Sequence, residues 1–285
     1  MIISTKRKAF HLNKTLIMGI LNVTPDSFSD GGKFLSVSSA IYHAKEMIEA
    51  GADIIDIGGE STRPGAEAVS VKEELQRVIP VIAAIRKELG EKIILSIDTY
   101  KARVAEKSVE AGADIINDVS GLQLDAEMLK VVGELQVPII INHMKGNPKT
   151  MQQGKIEYKD VIEDIAKFFE KQITLLEKAG MKKEHIILDP GFGFGKTVEQ
   201  NVEILKRLGE FKKFGLPLMI GVSRKSTIGK LLLEAFGKEF LPTERLEGSL
   251  AATAMVVLQG ASIVRTHDVR ETKRFLAVLQ AIIKK

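Results

Sequence analysis

The chain has 285 residues, of which 45% are hydrophobic and 27% are charged, a composition typical of a globular protein and unlike that of a disordered or fibrous one. It contains no cysteine, which excludes a disulfide scaffold, a thiol nucleophile and a thiolate metal site. The net charge is a modest +4, and the 5% of aromatic residues include no tryptophan, so a nucleic-acid partner is not indicated.

The N-terminal residues predict a cytoplasmic protein. Lys6, Arg7 and Lys8 precede an apolar run at 16–21, as in a signal peptide, but the run is short and no small-residue cleavage site follows it. No apolar stretch reaches the roughly 18 to 20 residues of a membrane span. Since the absence of cysteine also fits a reducing compartment, we expect a protein of the cytoplasm that does not bind membranes.

An internal repeat gives the first indication of the fold. The sequence EAGADIID at 49–56 recurs as EAGADIIN at 110–117, and a looser copy occupies 259–265. In each copy a glycine suits the left-handed cap of a helix, and the β-branched run after it has the length of a buried parallel strand. The repeated unit is therefore a helix, a turn and a strand.

Followed in chain order, the same pattern predicts eight strands separated by amphipathic helices. The strands are 16–21, 53–57, 93–97, 114–116, 138–141, 186–188, 217–222 and 262–264. The helices are 40–50, 72–89, 101–111, 125–135, 158–179, 198–214, 246–258 and 269–283. Eight strands that are each followed by a helix favour an α/β fold of the closed (β/α)8 TIM barrel type, with an open doubly wound sheet as the alternative. No linker divides the chain, so we expect residues 1–285 to form a single domain.

Polar side chains follow the predicted strands, at the end where TIM barrels carry their active sites. They are Asn22, the segment 58–65, Asp98, Asn117, Asn142, His143, Asp189, Arg224, Lys225, Ser226, Arg265, Thr266 and His267. A single one of them is readily explained as a helix N-cap, but a polar group after every strand exceeds what capping requires. The sequence therefore predicts a polar site at the carboxyl ends of the strands.

Three of these residues favour an anionic ligand. Arg63, Arg265 and His267 donate hydrogen bonds to anionic oxygens, and the loops after the last two strands of such barrels often hold phosphate. We therefore expect a phosphorylated substrate.

Three others favour a flat heterocycle. Asp98, Asn117 and Asp189 supply both donors and acceptors, as the recognition of an amidine-like edge requires. A carboxylate accepts two parallel N–H bonds from such an edge, and burial penalises molecules that lack them. These residues predict a pocket for a nitrogen heterocycle.

The glycine-rich stretch GFGFGKT at 191–197 has two interpretations. Its end resembles a phosphate-binding loop, but Pro190 stands where the first glycine should be, which excludes a nucleotide-binding loop. The glycines then provide either a tight turn or a backbone that approaches a ligand with Phe194 over it. Asp189 likewise either binds the heterocycle or caps this loop.

Six segments of the chain resemble the dihydropteroate synthase family. They are NVTPDSFSDGG at 22–32, GESTRPG at 59–65, NHMKG at 142–146, DPGFGFGK at 189–196, SRKS at 223–226 and RTHD at 265–268. They occur in order at six strand ends, no motif position departs from the family pattern, and the resemblance extends from about residue 16 to the C-terminus. The chain length resembles that of the single-function bacterial form.

The resemblance implies a transferase of folate biosynthesis. Its reaction would condense 6-hydroxymethyl-7,8-dihydropterin diphosphate with 4-aminobenzoate and release 7,8-dihydropteroate and diphosphate. The resemblance further implies Mg2+ as cofactor, a homodimer, small molecules as the substrates, and sulfonamides as inhibitors. The loops at 24–33 and 61–69, which are rich in proline and glycine, are expected to close over the substrates.

The resemblance also assigns the individual residues. The pterin is bound by Asp98, Asn117, Asp189 and Lys225. The diphosphate is bound by Asn22, Arg63, Arg265 and His267, with Asn22 ligating Mg2+. The 4-aminobenzoate is bound by Phe28, Thr62, Pro64, Phe194 and Ser226, with its carboxylate at the start of a helix near Ser226. The residues expected to act in catalysis are Asn22, Arg63, Asp98, Asp189 and Lys225.

Three other functions stay open at this point. Relatives that transfer a methyl group from methyltetrahydrofolate to a corrinoid have no use for a diphosphate site, which Arg63, Arg265 and His267 indicate here. A pterin-binding paralogue without turnover is expected to lack Asn22, Thr62 or Arg63, all of which are present. A sugar-phosphate isomerase needs an acid and base pair suited to enolisation and does not explain the long loops after the first two strands.

Overall fold

The structure is a computed structural model that describes residues 2–7, 9–24, 33–61, 68–146, 151 and 156–283, and the side chains of 33–36 are not described. Most of the two loops that are expected to close over the substrates therefore lies outside the described residues, namely 25–32 and 62–67. Within the described part of the chain, no helix is long and apolar enough to cross a membrane. The single-domain organisation expected for residues 1–285 stays a prediction.

Ten strands are present in the described residues. A hairpin of β1 (Ile2–Ser4) and β2 (Ala9–His11) precedes the barrel. The barrel strands are β3 (Leu16–Asn22), β4 (Ile54–Gly58), β5 (Ile94–Asp98), β6 (Ile115–Asp118), β7 (Ile139–Asn142), β8 (Ile186–Asp189), β9 (Met219–Ile220) and β10 (Ile263–Thr266). They are parallel neighbours in the order β8-β7-β6-β5-β4-β3-β10-β9, and a bridge between Leu188 and Leu218 joins the two ends of this row. The predicted TIM barrel is confirmed, and the open sheet is excluded.

The described helices surround the strands. They are α1 (Lys33–Glu49), α2 (Val71–Leu89), α3 (Ala102–Ala111), α4 (Met128–Leu135), α5 (Val161–Lys178), α6 (Val198–Arg207), α7 (Ser226–Phe236), α8 (Leu246–Leu258) and α9 (Val269–Ile283). The helix predicted at 198–214 ends at Arg207 and continues as a 3-10 helix over Leu208–Phe214. Periodicity did not predict α7, which exposes Leu233 and Phe236, and only the family resemblance indicated a helix start near Ser226.

The internal repeat is a repeated helix cap. Gly51, Gly112 and Gly260 have φ angles of +103°, +125° and +98°, the left-handed region in which glycine is favoured. After each one, the next N–H donates to the carbonyl five positions earlier at 2.8 or 2.9 Å, as in a Schellman motif. Gly180, with φ of +83°, makes a fourth copy that the sequence comparison missed because its flanking residues differ. These caps direct the chain from a helix into the next strand.

Two apolar layers hold the barrel together. One lies between the strands and the helices. The other fills the amino end of the barrel with Leu16, Met18, Ile54, Ile94, Ile115, Ile140, Ile187, Met219 and Ile263. Ile3 of the hairpin is fully buried against this second layer, so β1 and β2 close the amino end of the barrel. The carboxyl end carries the polar residues.

Candidate active site

The inward-facing row of side chains changes from apolar to polar along the strands. Side chains two residues apart in a strand face the same side, so the residue two positions after each inward isoleucine also points into the barrel. These pairs are Ile54 and Asp56, Ile94 and Ser96, Ile115 and Asn117, Ile140 and Asn142, Ile187 and Asp189, and Ile263 and Arg265. The polar layer at the barrel mouth is thus formed by six of the eight strands, whereas the corresponding position is Ile20 on β3 and Gly221 directly after β9.

An arginine joins two buried carboxylates in this polar layer. Arg265 donates from Nε to Asp56 Oδ2 and from a terminal nitrogen to Asp98 Oδ2, both at 2.6 Å. Asn117 donates from its side-chain nitrogen to the same Asp56 oxygen at 3.0 Å. Arg265, expected beside a diphosphate, therefore lies among the residues expected to bind the heterocycle.

Asp56 is the site residue that the sequence reasoning missed. Its side chain is fully buried and positions both Arg265 and Asn117. In the sequence, Asp56 stands only as the last residue of the repeat EAGADIID. Its position two residues after the inward Ile54 is the signal that would have found it.

Asp98 keeps one oxygen available for a ligand. Burial raises the pKa of Asp98 to about 7, opposed by the nearby Arg265 guanidinium. Its Oδ1 atom is buried and has no hydrogen-bond partner among the described residues. Since a buried acceptor without a partner is costly, Asp98 Oδ1 is a candidate acceptor for a ligand N–H group.

Asn22 and Asp98 lie at the same level of the barrel. Asn22 pairs with Gly58, and Gly58 pairs with Asp98, across three neighbouring strands. A Cβ atom on Gly58 would lie 3.6 Å from Asn22 Oδ1 and from Asp98 Cβ. The glycine thus leaves open the space between the two side chains.

Asp189 both caps the glycine-rich loop and lines a pocket. Its Oδ1 accepts the Gly191 N–H at 2.8 Å, and burial raises the pKa of its carboxyl to about 6. The pocket beside it is lined by Ile20, Asp189, Phe192, Phe194, Gly221, Ser223, Lys225, Arg265 and His267. The capping interpretation is therefore right for one oxygen, while the side chain as a whole also faces the candidate ligand space.

Lys225 and Phe194 meet on the other side of this pocket. Lys225 Nζ lies 4.0 Å from the centroid of the Phe194 ring, a cation–π contact. Burial lowers the pKa of Lys225 to about 8. Gly193, with φ of +84°, passes so close that a Cβ there would lie 3.2 Å from Lys225 Cδ. The glycine-rich loop thus provides both a tight turn and a surface against the pocket.

The loops after β9 and β10 are joined at their ends. Ser223 Oγ lies 3.0 Å from Nδ1 of the exposed His267 and accepts the His267 backbone N–H at 3.2 Å. Helix α7 begins directly after Lys225, and its first residue, Ser226, is exposed at the mouth. The start of a helix at this point is what the resemblance predicted.

Four predicted site residues cannot be placed. Phe28, Thr62, Arg63 and Pro64 lie outside the described residues. The structure brings together Asn22, Asp98, Asn117, Asp189, Phe194, Lys225, Ser226, Arg265 and His267 at one end of the barrel.

Comparison with known proteins identifies the family. The chain matches the family model described as pterin binding enzyme over residues 18–267. The curated dihydropteroate synthase of Escherichia coli strain K12 is 50% identical over 267 residues, which cover 94% of this chain and 91% of that protein. This chain belongs to the dihydropteroate synthase family.

Solved structures of dihydropteroate synthases have the same fold. The Yersinia pestis enzyme with a sulfonamide drug complex has a TM-score of 0.92 and 43% identity, with 100% of both chains covered. The Xanthomonas albilineans enzyme in complex with 7,8-dihydropteroate has a TM-score of 0.87 and 38% identity, again with 100% of both chains covered. The family predicted by the six sequence segments is confirmed, and this chain is an enzyme, a transferase.

The described residues include Asn22, the predicted magnesium ligand, at the barrel mouth. They include no cluster of three His, Asp or Glu side chains that would hold a metal ion by itself. Mg2+ usually keeps several waters and binds one or two protein oxygens together with substrate phosphates. Asn22 offers one amide oxygen of the required kind at the barrel mouth, so this residue fits a metal held mainly by a diphosphate.

Proposed function

We propose that this enzyme of folate biosynthesis condenses 6-hydroxymethyl-7,8-dihydropterin diphosphate with 4-aminobenzoate, giving 7,8-dihydropteroate and diphosphate. The observation that carries the proposal is the buried acceptor layer of Asp98, Asn117 and Asp189 in a member of this family. A related solved enzyme holds 7,8-dihydropteroate, the product of this reaction.

The pterin ring would bind in the polar layer. Asp189 and the unpartnered Oδ1 of Asp98 accept N–H bonds from its amidine-like edge, and Asn117 contributes an amide that is both donor and acceptor. Lys225 donates to a ring acceptor from the opposite wall. A ring that is held between these groups is fixed in one orientation, with its exocyclic carbon toward the mouth.

The diphosphate would lie at the mouth itself. Asn22, Arg63 and His267 bind its oxygens, and Arg265 contributes the N–H groups that Asp56 and Asp98 do not use. Mg2+, when bound with Asn22 and the diphosphate, supplies positive charge that offsets the charge on the leaving group. This arrangement places the cations where negative charge develops as the C–O bond breaks.

The second substrate would stack at the rim. The 4-aminobenzoate ring packs against Phe28, Pro64 and Phe194, with Thr62 beside it and its carboxylate at the N-terminus of α7 near Ser226. The C–O bond to the diphosphate breaks, and the amine nitrogen then bonds to the exocyclic carbon and loses one proton. The carboxylates Asp98 and Asp189 stabilise the positive charge that the pterin carries between these steps.

We further propose a homodimer. Its support is a set of exposed apolar side chains on the adjacent helices α8 and α9: Met255, Leu258, Val278 and Ile282. The expected cytoplasmic location stays a prediction.

The test is to follow diphosphate release from the purified protein with the pterin diphosphate, 4-aminobenzoate and Mg2+. We expect one dihydropteroate for each diphosphate released, and competition by a sulfonamide against 4-aminobenzoate. A protein that binds the pterin diphosphate but releases no diphosphate would be a binding paralogue, and the proposal would be wrong.

A further inference from the structure

Lys196 is a buried lysine whose ammonium group lies among carbonyl oxygens. It is 2% exposed, at the end of the glycine-rich loop. Its Nζ donates to the carbonyls of Gly191 at 2.8 Å, Phe194 at 3.0 Å and His143 at 3.1 Å, and lies 3.0 Å from His143 Nδ1. Lysine is rarely buried unless paired, and none of these four partners is a carboxylate. The role of this lysine is therefore to be found in the carbonyls that it contacts.

The partners of Lys196 belong to two different loops. His143 directly follows β7, whereas Gly191 and Phe194 lie in the loop after β8. The two backbones touch, since a Cβ on Gly191 would lie 1.9 Å from the His143 carbonyl oxygen. Because Lys196 donates to carbonyls on both sides of this contact, its ammonium group holds the two loops together.

The loop after β8 adjoins two groups that line the candidate pocket, Asp189 and Phe194. Gly191 is held by both of its backbone polar groups, because its carbonyl accepts from Lys196 and its N–H donates to Asp189 Oδ1, each at 2.8 Å. The carbonyl of Phe194 accepts a hydrogen bond from Lys196, and the centroid of the Phe194 ring lies 4.0 Å from Lys225 Nζ. Lys196 therefore contacts the Phe194 backbone directly and reaches Asp189 through Gly191, although it does not line the pocket itself.

We propose that Lys196 is a positioning residue for the substrate pocket, which orients the Asp189 carboxylate and the Phe194 ring by holding the carbonyls of the loops after β7 and β8. The inference rests on the proposed function, because Asp189 and Phe194 matter to catalysis only if they contact the pterin and 4-aminobenzoate. An apolar side chain of the same length would fill the space but leave three buried carbonyls without this donor. The loop would then turn its carbonyls toward other donors and move the two groups attached to it.

Steady-state kinetics of Lys196→Met tests the proposal. We expect the KM for the pterin diphosphate and the KM for 4-aminobenzoate each to rise at least about tenfold, since both contact groups move. A purely structural role would reduce the amount of folded enzyme, which lowers the apparent kcat and leaves both KM values unchanged.

Tyr158→Phe is the matched control. Tyr158 donates from its hydroxyl to the Gly195 carbonyl at 2.9 Å, so this variant also removes a hydrogen bond to the glycine-rich loop. Neither Asp189 nor Phe194 takes part in this hydrogen bond, so we expect both KM values to stay within twofold of the wild type. Equal KM changes in Lys196→Met and Tyr158→Phe would overturn the proposal.

Lys196→Gln decides the question if Lys196→Met does not fold. Its amide keeps two N–H donors, which favours folding, but it is shorter than lysine and leaves at least one of the three carbonyls without a donor. We therefore expect a folded protein whose KM values rise more than twofold. Values within twofold of the wild type would overturn the proposal. The wild type is assayed first: no diphosphate release contradicts the proposed function, whereas an active wild type with unchanged variants contradicts only the role of Lys196.

Discussion

The two ends of the barrel use the same strands for different purposes. At the amino end, Ile54, Ile94 and their neighbours form a layer that Ile3 covers, and each of these isoleucines is at most 1% exposed. Two residues beyond the six isoleucines, a distance of about 6.6 Å, the inward side chains are polar, and all but Ser96 are charged or carry amides. The difference shows that one face of these six strands supplies both the stability of the barrel and the recognition of a ligand, in successive layers.

The polar end depends on pairing in a way that the apolar end does not. Asp56 and Asp98 share Arg265, and Asp189 accepts a backbone N–H, so each buried carboxylate has a donor. Burying a charge costs several kcal/mol unless it is compensated, whereas a buried isoleucine needs no partner. The effect of a substitution on stability should therefore depend on pH and on bound ligand at the polar end, and should depend on neither at the apolar end.

The largest expected effect comes from Arg265→Met. It leaves Asp56 and Asp98 without their cation, and we expect a loss of about 3–5 kcal/mol in the free energy of unfolding at pH 8. The pKa of Asp98 is already raised to about 7, above the value of about 3.9 in an unfolded chain, so its ionised form destabilises the folded state. Because the Arg265 guanidinium lowers this pKa, the pKa of Asp98 is higher still in the variant. The lost stability should therefore be regained as the pH falls from 8 to 6, because the carboxyl then takes up a proton.

Urea denaturation at pH 8 and pH 6 measures this effect. Arg207→Met is the control, because Arg207 lies on the surface with Asp160, Glu203 and Glu210, where an ion pair contributes about 0–1 kcal/mol. Equal losses for Arg265→Met and Arg207→Met would show that the buried cluster has no special dependence on its cation.

A smaller effect is expected for Asp189→Asn. The variant keeps an oxygen for the Gly191 N–H but loses the charge and one acceptor toward the pterin, which should cost about 2–4 kcal/mol in affinity for the pterin diphosphate. Calorimetric titration measures the affinity, and thermal unfolding should show a folded protein. If the variant unfolds at ordinary temperature while its folded fraction binds the pterin normally, Asp189 serves only as the cap of its loop.

The smallest effect is the pH dependence of pterin affinity. The pKa values of about 7 for Asp98 and about 6 for Asp189 mean that lowering the pH below 7 protonates the acceptors, which weakens binding. The pKa of about 8 for Lys225 means that raising the pH above 8 removes a donor. We expect a bell-shaped affinity with a loss of at most about tenfold per pH unit for each group that titrates.

Titrations from pH 5.5 to pH 9.5 measure this profile. Lys225→Met should remove the alkaline arm and leave the acidic arm in place. An affinity that is flat over this range would contradict the assignment of these three residues to the pterin.

Much of the fold was predictable because the sequence signals of its strands and helix caps are local. The repeated glycine caps and β-branched runs located all eight barrel strands, although the strand predicted at 217–222 is reduced to Met219–Ile220. Helix α7 was not predicted, and the structure shows that it leaves Leu233 and Phe236 exposed.

The site was predictable in part because strand ends converge in a parallel barrel. That rule brought Asp98, Asn117 and Asp189 together, as the structure has them. It did not reveal Asp56, which lies inside a strand, or the carbonyl cage around Lys196, which depends on how two loops fold against each other. Such loop contacts join residues that are distant in sequence and have no local signature.

The most direct test of the division between the two ends uses strand β5 alone, with Ile94→Ala at its amino end and Asp98→Asn at its carboxyl end. We expect Ile94→Ala to lose about 2–5 kcal/mol in the free energy of unfolding, measured with urea, and to keep its pterin diphosphate affinity within twofold. Asp98→Asn should bind the pterin diphosphate at least about 30-fold more weakly in a calorimetric titration. If Ile94→Ala weakens pterin binding as much as Asp98→Asn does, or if Asp98→Asn binds normally, recognition and stability are not separated along the strand.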